Sequence, residues 1–240
     1  VIAMTLAQVA AAVDGDLVGD PETVISSVAI DSRQVLPGGL FAALPGEHHD
    51  GHDHVAAAMA AGAEAVLCTR EAPAPHIVVA DVSVAIGRLA HAVHEQLPDV
   101  VTVAVTGSSG KTSTKDLIAH LLRAHGPTVA PPGSFNNELG VPLTVLRCDE
   151  STRYLVLEMG ARGVGHIAYL CGIARPQVGV VLNVGSAHVG EFGSQGRIAE
   201  AKSELVAALP ATGIAVLNAE DPLVAAMREV TAATVVTFGE

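Results

Sequence analysis

Residues 106–113, Thr-Gly-Ser-Ser-Gly-Lys-Thr-Ser, are of the types that bind nucleotide phosphates. They follow an apolar stretch predicted as a strand over 100–105 and open a predicted helix over 112–125. In such a loop, glycines let the backbone curl so that successive N–H groups and the helix N-terminus point at phosphate oxygens. The pattern therefore predicts nucleotide-phosphate binding by Thr106, Gly107, Ser108, Ser109, Gly110, Lys111, Thr112 and Ser113.

Two residues of this loop carry specific expectations. Lys111 is predicted to reach the β- and γ-phosphates, and the Thr112 hydroxyl to coordinate Mg²⁺. The first glycine of the usual phosphate-binding pattern is replaced by Val105, which makes this a shorter form of the motif. The competing interpretation is a Gly/Ser turn that carries a lysine by chance.

Further polar residues follow later strands of the same predicted sheet. Glu158 ends a strand predicted over 154–157, and His188 lies in the loop after a strand predicted over 178–183. Ligands of open parallel sheets bind outside the carboxyl ends of the strands, so both residues are candidates for the site. Glu158 is of the type that holds Mg²⁺. The alternatives are a solvated carboxylate at a strand end and a structural histidine.

Lys202 has an unusual position on a helix predicted over 197–209. Ile198, Leu205 and Leu209 form the apolar stripe of that helix, and Lys202 falls inside the stripe. A lysine that faces inward must extend its amine to solvent, pair with an anion or be chemically modified. Periodicity alone leaves these alternatives open.

The elements that must position these residues alternate between strand and helix. Nearly unbroken apolar strands in such an alternation are typical of a parallel sheet covered by helices on both faces, so the fold class is α/β. A smaller α/β unit precedes it, and we place the boundary near residue 81, giving domains 1–81 and 82–240. The predicted strands are 24–30, 40–44, 65–68, 77–80, 100–105, 154–157, 178–183 and 214–218, and the predicted helices are 5–13, 53–61, 82–97, 112–125, 167–171 and 197–209.

Composition restricts the classes of function. The formal net charge of −12 argues against binding a nucleic-acid backbone. The three cysteines have no metal-binding or disulfide-framework spacing, which favours buried thiols in a reducing compartment. No apolar run reaches membrane-spanning length, so we expect a soluble, cytoplasmic protein without membrane insertion.

Several ordered motifs together resemble the Mur ligase family. The phosphate loop, the residues around Glu158, His188 and Lys202, and the Asn-Asn-Glu-Leu-Gly-Val-Pro segment at 136–142 look like that family's motif series. Near the start of the chain, 31–33, 37–41 and 50–52 resemble its UDP-binding domain. The Ser-Ser of the loop and the 136–142 segment most resemble the member that adds D-alanyl-D-alanine.

The resemblance implies roles for individual residues. Lys202 would be carried as a carbamate, and Thr112, Glu158, His188 and modified Lys202 would hold metal, with Lys111, His188 and Lys202 catalytic. Asn136 and Asn137 would lie near the phosphates and the muramoyl substrate. Ser32 and Arg33, together with Asp50, Gly51 and His52, would contact the UDP-linked substrate.

The implied reaction uses ATP and Mg²⁺. ATP would phosphorylate the terminal carboxylate of a UDP-N-acetylmuramoyl tripeptide, and the amine of D-alanyl-D-alanine would attack the acyl phosphate, in peptidoglycan precursor synthesis. The chain ends at Glu240, where the resemblance places it inside the central ATPase domain. The rest of that domain and a carboxy-terminal domain would then be missing, and we expect this chain alone to be inactive.

Other interpretations stay open. A sibling Mur ligase or a folylpolyglutamate-synthetase-like ligase would share the ATPase core. A different class is a non-catalytic module that binds a nucleotide or a UDP-sugar. The histidine-rich segment at 48–54 also suggests a metal site, although its spacing matches no standard zinc pattern.

Overall fold

The computed structural model describes residues 1–46, 50–185 and 193–240, and these form two compact units. The first unit comprises Val1–Gln96 with Leu146–Glu150, and the second comprises Leu97–Val145 with Ser151–Glu240. Each unit has its own sheet.

The first unit is an α/β unit built on a five-stranded sheet. Strand order is β2-β7-β6-β5-β4, with β2 antiparallel to β7 and the remaining pairs parallel. A separate antiparallel pair joins β1 to β3. The elements are β1 Met4–Thr5, α1 Leu6–Val13, β2 Asp16–Val18, β3 Val24–Ile25, β4 Ser27–Ala29, β5 Gly39–Ala42, α2 Val55–Ala60, β6 Ala63–Cys68, β7 His76–Val78 and α3 Val82–Glu95, with 3₁₀ helices at Ser32–Gln34 and Gly51–His54.

The single strand predicted over 24–30 is wrong. Ser26 separates β3 from β4, and the two short strands pair with different neighbours, β1 and β5. The backbone N–H of Ser26 donates instead to the carbonyl of Gly38 at 2.8 Å. An apolar-polar alternation that runs through residue 26 does not reveal such a change of partner.

Helix α3 belongs to the first unit, so the units divide after Gln96 rather than near residue 81. Asp81 begins the helix by accepting hydrogen bonds from the N–H groups of Ser83 and Val84. The apolar face of α3 is buried, and the helix packs against α1. Because this contact stabilises the first unit, a boundary before the helix would divide one core.

The second unit contains a six-stranded sheet in which every pair is parallel. Strand order is β13-β12-β11-β8-β10-β9. The elements are β8 Val101–Thr106, α4 Lys111–Arg123, β9 Thr128–Val129, α5 Gly140–Val145, β10 Tyr154–Glu158, α6 His166–Ala174, β11 Val178–Val181, α7 Gln195–Ala207, β12 Ile214–Asn218, α8 Pro222–Ala225 and β13 Thr234–Phe238, with a 3₁₀ helix at Ala226–Glu229.

Helices cover both faces of this sheet, as predicted. Val103, Val105 and Val180 form a buried cluster with side chains of α4 on one face. Gly179 points to the opposite face, where a Cβ would lie 3.1 Å from the Cγ of Leu205 on α7. The absence of a side chain at residue 179 therefore lets α7 approach the sheet closely, and α7 is the helix that carries Lys202.

Within the described ranges, none of the helices combines the length and the apolar character needed to span a bilayer.

The turn that begins at Asp50 is held by its own polar side chains. The Asp50 carboxylate accepts hydrogen bonds from the backbone N–H of His52 at 3.0 Å and from the His52 ring Nδ1 at 2.6 Å. It also accepts one from the Arg70 guanidinium at 2.9 Å. These hydrogen bonds hold the pKa of the Asp50 carboxyl well below its usual range, and the one from the His52 backbone N–H has the largest effect. The other ring nitrogen of His52 accepts from the backbone N–H of Thr69 at 3.2 Å, which assigns the ring proton to Nδ1.

Gly51 permits a close approach of this turn to the end of β5. Its N–H donates to the carbonyl of Leu44, and a Cβ at residue 51 would lie 2.6 Å from the Leu44 nitrogen and 2.7 Å from the Ala43 carbonyl carbon. We expect Gly51→Ala to lower the free energy of unfolding by about 1–3 kcal/mol, because backbone atoms must move. Thermal unfolding monitored by circular dichroism measures the change.

Gly172 on α6 supplies the matched control. No heavy atom lies within 4 Å of a Cβ built there, and we expect Gly172→Ala to stabilise the helix by about 0.5–1 kcal/mol. Equal or greater stability of Gly51→Ala relative to the unsubstituted chain would contradict the described turn.

Candidate functional site

The predicted phosphate loop lies between β8 and α4, at the carboxyl edge of the parallel sheet. Thr106 is buried, and its hydroxyl donates to the carbonyl of Met159 at 2.9 Å. A Cβ at Gly107 would lie 2.9 Å from the Leu182 side chain, and Gly110 has φ +80. Both glycines are therefore required by the shape of the loop, and Gly110 directly precedes the first turn of α4.

Asn183 shapes the loop from the neighbouring strand. Its Oδ1 accepts from the backbone N–H groups of Ser108 at 2.9 Å and Ser109 at 3.0 Å. Lys111 Nζ donates to the carbonyl of Gly107 at 2.9 Å. Thus, these loop donors have partners within the protein, and a phosphate that enters the loop exchanges hydrogen bonds with them. The sequence contained a signal for Asn183, since it follows the strand next to β8, but no role was predicted for it.

Glu158 is buried at the end of β10, where 1% of its surface is exposed. Its Oε2 accepts from the Thr112 hydroxyl at 2.7 Å, and its Oε1 accepts from Asn136 Nδ2 at 2.6 Å. The alternative of a solvated carboxylate at a strand end is therefore wrong. The structure brings together three of the residues that the sequence suggested for metal and substrate.

The donor set at Thr112 and Glu158 fits a magnesium ion. Both are oxygen ligands, which Mg²⁺ prefers, and one of them is a carboxylate. The contact of 2.7 Å between the two oxygens places them close enough to share one cation. Thr112 also lies in the first turn of α4, beside the loop, so a cation held here would be next to a bound phosphate.

Asn137 has a structural contact in addition to its predicted role. Its Oδ1 accepts from the backbone N–H groups of Gly140 at 2.9 Å and Leu139 at 3.4 Å. These are donors at the beginning of α5, where capping by an Asn side chain stabilises the helix. The two neighbouring residues therefore have different contacts. Asn136 binds the Glu158 carboxylate, whereas Asn137 caps the beginning of α5.

Lys202 is buried on α7 with 6% of its surface exposed, as the apolar stripe predicted. Burial, and secondarily the neighbouring charge of Lys111, lowers the pKa of the Lys202 amine to about 8. The helix that carries Lys202 packs against β8, the strand that leads into the phosphate loop. Within the described ranges, no hydrogen bond or ion pair involves the Lys202 amine, although the residue as a whole is buried.

Ser32 and Arg33 form a 3₁₀ turn in the first unit. Asp31 begins the turn, and its carboxylate binds Arg33 through Nε at 3.0 Å and Nη2 at 2.7 Å. The hydrogen bonds from the Arg33 side chain lower the pKa of Asp31 to about 2. The Arg33 side chain is 86% exposed, so its remaining N–H groups are available to an anionic ligand.

The Asp50 turn lies in the same unit, and α2 packs against both this turn and the Ser32 turn. The His52 side chain is 5% exposed, and both of its ring nitrogens are already hydrogen-bonded within the unit. Gly51 lacks a side chain, and Asp50 is engaged by His52 and Arg70. The side chains of this predicted substrate loop therefore hold its backbone in place.

Some predicted site residues lie outside the described residues. These are His188, together with its neighbours in 186–192, and the histidines at 48 and 49 of the segment considered as a metal site. In the parts of the chain that the structure describes, no group of three or more His, Cys, Asp and Glu side chains is arranged to hold a metal ion. The proposed set of Glu158, His188 and Lys202 stays a prediction.

Comparison with known proteins supports these motifs. The family model "Mur ligase middle domain" matches residues 105–240, and "Mur ligase family, catalytic domain" matches residues 24–113. A curated UDP-N-acetylmuramoyl-tripeptide--D-alanyl-D-alanine ligase from Mycobacterium tuberculosis is 50% identical over 98% of this chain and 52% of its own length.

Solved structures agree with the sequence comparison. A crystal structure of MurF from Acinetobacter baumannii superposes with a TM-score of 0.91 at 36% identity, covering 99% of this chain and 53% of that one. MurF ligase from Thermotoga maritima in complex with ADP has a TM-score of 0.79 at 36% identity, covering 89% of this chain and 50% of that one.

The chain thus spans about half the length of the curated relatives it matches. The matched family models cover the two segments that contain the Ser32 turn and the phosphate loop. With these matches and the parallel sheet that bears the loop, the chain belongs to the Mur ligase family.

Proposed function

We propose that this chain supplies the UDP-substrate-binding and ATP-phosphate-binding parts of a ligase that joins D-alanyl-D-alanine to a UDP-N-acetylmuramoyl tripeptide, in cytoplasmic peptidoglycan precursor synthesis. The observation that carries the proposal is the contact between Thr112 and buried Glu158 beside the phosphate loop. The names of the relatives from M. tuberculosis and A. baumannii support the choice among Mur ligases.

The proposed reaction has two steps. A terminal carboxylate oxygen of the tripeptide attacks the γ-phosphorus of ATP, which forms an acyl phosphate and releases ADP. The amine of D-alanyl-D-alanine then attacks the acyl carbon, an amide forms, and inorganic phosphate leaves with the C–O bond electrons while the amine loses a proton. Such transfers depend chiefly on positioning and on neutralisation of phosphoryl charge.

Residues of this chain would bind the phosphates. The Lys111 amine exchanges its hydrogen bond to the Gly107 carbonyl for one to a β- or γ-phosphate oxygen. The N-terminus of α4 adds backbone N–H groups and the positive end of the helix dipole. When bound, Mg²⁺ neutralises charge on the phosphoryl oxygens, and Thr112 and Glu158 would hold it there.

Lys202 would contribute as a carbamate. Its amine, in the neutral form, attacks the carbon of CO₂, an N–C bond forms, and one proton is released, leaving an anion. The lowered pKa raises the fraction of neutral amine near neutral pH. The product is a negative group close to Lys111, in place of a second positive charge, and it would join Glu158 and His188 at the metal.

The first unit would hold the UDP-linked substrate. The exposed guanidinium of Arg33 offers paired N–H donors, which suit the oxygens of a diphosphate. Ser32 lies beside it in the same turn. The Asp50 turn would contribute through the backbone that its side chains hold in place, rather than through the buried ring of His52.

Lys111→Ala tests the phosphate loop. In a ligase of the relatives' full length that contains residues 1–240, we expect kcat to fall about 100- to 1000-fold, as when one preorganised donor is removed from developing charge. The assay follows phosphate release and the UDP-linked pentapeptide from UDP-N-acetylmuramoyl tripeptide, D-alanyl-D-alanine and ATP. Leu117→Ala, at a 64% exposed position of the same helix, is the control. Unaltered turnover of Lys111→Ala would contradict the loop assignment.

Lys202→Arg tests the carbamate. Arginine keeps the positive charge but is not carbamoylated, so we expect no turnover in the same full-length ligase. Because the pKa of Lys202 is about 8, the reactive neutral amine decreases as the pH falls below that value. We therefore expect removal of CO₂ to reduce activity most strongly at mildly acid pH, and added bicarbonate to restore it.

Glu200→Gln, at an exposed position of α7, is the control and should respond to CO₂ as the unsubstituted ligase does. Circular dichroism checks that Lys202→Arg folds. Normal turnover of a folded Lys202→Arg ligase would mean that Lys202 is a structural residue of the helix.

A further inference from the structure

Lys115 is a buried charged residue that the proposed chemistry does not use. It lies one turn after Lys111 on α4, and none of its surface is exposed. Its Nζ donates to the carbonyls of Pro131 at 2.8 Å and Gly133 at 2.9 Å, and it contacts Asp116 Oδ1 at 2.8 Å. A lysine ammonium has three N–H donors, and here each has an acceptor.

The two carbonyls belong to the segment that leads from β9 towards Asn136. They are two residues apart, and Gly133 has φ +58, which places a left-handed turn at this point. Holding both carbonyls on one amine fixes the path of the chain through this turn. The Asp116 side chain is 63% exposed, so its ion pair with Lys115 is the weaker part of the arrangement.

Asn136 connects this turn with the acidic residue of the site. Its Nδ2 donates to Glu158 Oε1 at 2.6 Å, and its backbone carbonyl accepts from Gly160 N–H at 2.9 Å. A Cβ at Gly160 would lie 3.0 Å from the Asn136 Cγ. Asn136 is therefore held by Gly160 and Glu158, and it follows three residues after Gly133, whose carbonyl Lys115 binds.

We propose that Lys115 is a positioning residue which, through the turn at Pro131–Gly133 and Asn136, orients the Glu158 carboxylate towards Thr112. The geometry supports an indirect action, because the Lys115 amine contacts carbonyls of the turn and Asp116 rather than Glu158. Loss of a group that hydrogen-bonds a metal ligand, as Asn136 does Glu158, commonly changes metal affinity or activity 10- to 100-fold, and this sets the upper limit for an action of Lys115 through Asn136. The assignment to magnesium use rests on the proposed function.

Lys115→Met removes the donors and keeps an unbranched side chain of similar length. In the full-length ligase, we expect the Mg²⁺ concentration for half-maximal rate to rise about tenfold while KM for the UDP-linked substrate stays within twofold. An equal rise in the Mg²⁺ concentration for half-maximal rate and in the KM for the UDP-linked substrate would contradict an action through Glu158.

Asp116→Asn is the matched control, because it keeps both carbonyl acceptors of Lys115. Its Mg²⁺ concentration for half-maximal rate should stay within twofold of that of the unsubstituted ligase. A loss as large as that of Lys115→Met would assign the effect to the ion pair and overturn the proposal.

A double-mutant cycle tests the route through Asn136. Adding Lys115→Met to Asn136→Ala should change the Mg²⁺ dependence by less than twofold, because the connection to Glu158 is already absent. Additive effects would overturn the proposal. If Lys115→Met does not fold, Gly160→Ala serves instead, since its new methyl group displaces Asn136 without touching the buried amine. It should raise the Mg²⁺ requirement similarly, and an unchanged requirement would contradict the role of Asn136.

The role of Lys115 can be measured by ligand binding, without amide formation. Calorimetry of residues 1–240 with ADP, with and without Mg²⁺, should show a smaller Mg²⁺-dependent gain in affinity for Lys115→Met than for the unsubstituted chain. Absence of amide product in the full-length ligase would remove the proposed function, whereas an unchanged Mg²⁺-dependent gain would remove the role of Lys115.

Discussion

The parallel register of β8 with its two neighbours is the constraint on which the second unit depends. Glu158 of β10 pairs with Val105, and Val181 of β11 pairs with Thr106, so the three strands end side by side. Parallel strands direct their carboxyl ends to one edge, where helix N-termini also begin. A phosphate loop, a buried carboxylate and Asn183 consequently meet without any of them being adjacent in sequence.

Local arrangement, rather than overall charge, must attract an anionic ligand to this protein. The net charge is −12, and the sheet core is aliphatic. Against that field, the Lys111 amine lies beside the loop, where it donates to the Gly107 carbonyl, and the N-terminus of α4 adds backbone N–H groups. The Lys115 amine is instead satisfied by two carbonyls and Asp116, and the pKa of Lys202 is lowered, so neither supplies an unpaired positive charge to a ligand.

Long apolar strands and the helix stripe were the parts of this fold that the sequence predicted well. The strand predicted over 214–218 matches β12, and Lys202 proved to be buried as its position in the stripe indicated. Short or edge strands such as β9 and β13 were missed, since two residues or an exposed pattern give little periodic signal. The hydrophobic periodicity of the sequence also gave no information on side-chain contacts between segments that are distant in the chain.

Asn183 and Lys115 are the clearest examples of side-chain contacts that the sequence pattern did not predict. Asn183 is 74 residues from Ser109, and its role follows only from the adjacency of β11 and β8. In the sequence, Lys115 has no feature that distinguishes it from the other polar residues of α4. Its role follows only from the hydrogen bond that its amine donates to the carbonyl of Gly133. His52 is a different case, because its motif suggested a ligand contact, which stays a prediction, and the structure adds that its ring holds its own turn.

We propose that the edge of the parallel sheet binds nucleotide phosphate together with a magnesium ion held by Glu158. Calorimetry of ADP binding to residues 1–240, with and without Mg²⁺, compares the unsubstituted chain with Glu158→Gln. We expect Mg²⁺ to strengthen ADP binding by the unsubstituted chain, and Glu158→Gln to lose that gain while its affinity without Mg²⁺ stays within about twofold, because the loop donors are untouched. A full Mg²⁺-dependent gain in Glu158→Gln, or no binding of ADP by the unsubstituted chain, would contradict a magnesium–phosphate site at this edge of the sheet.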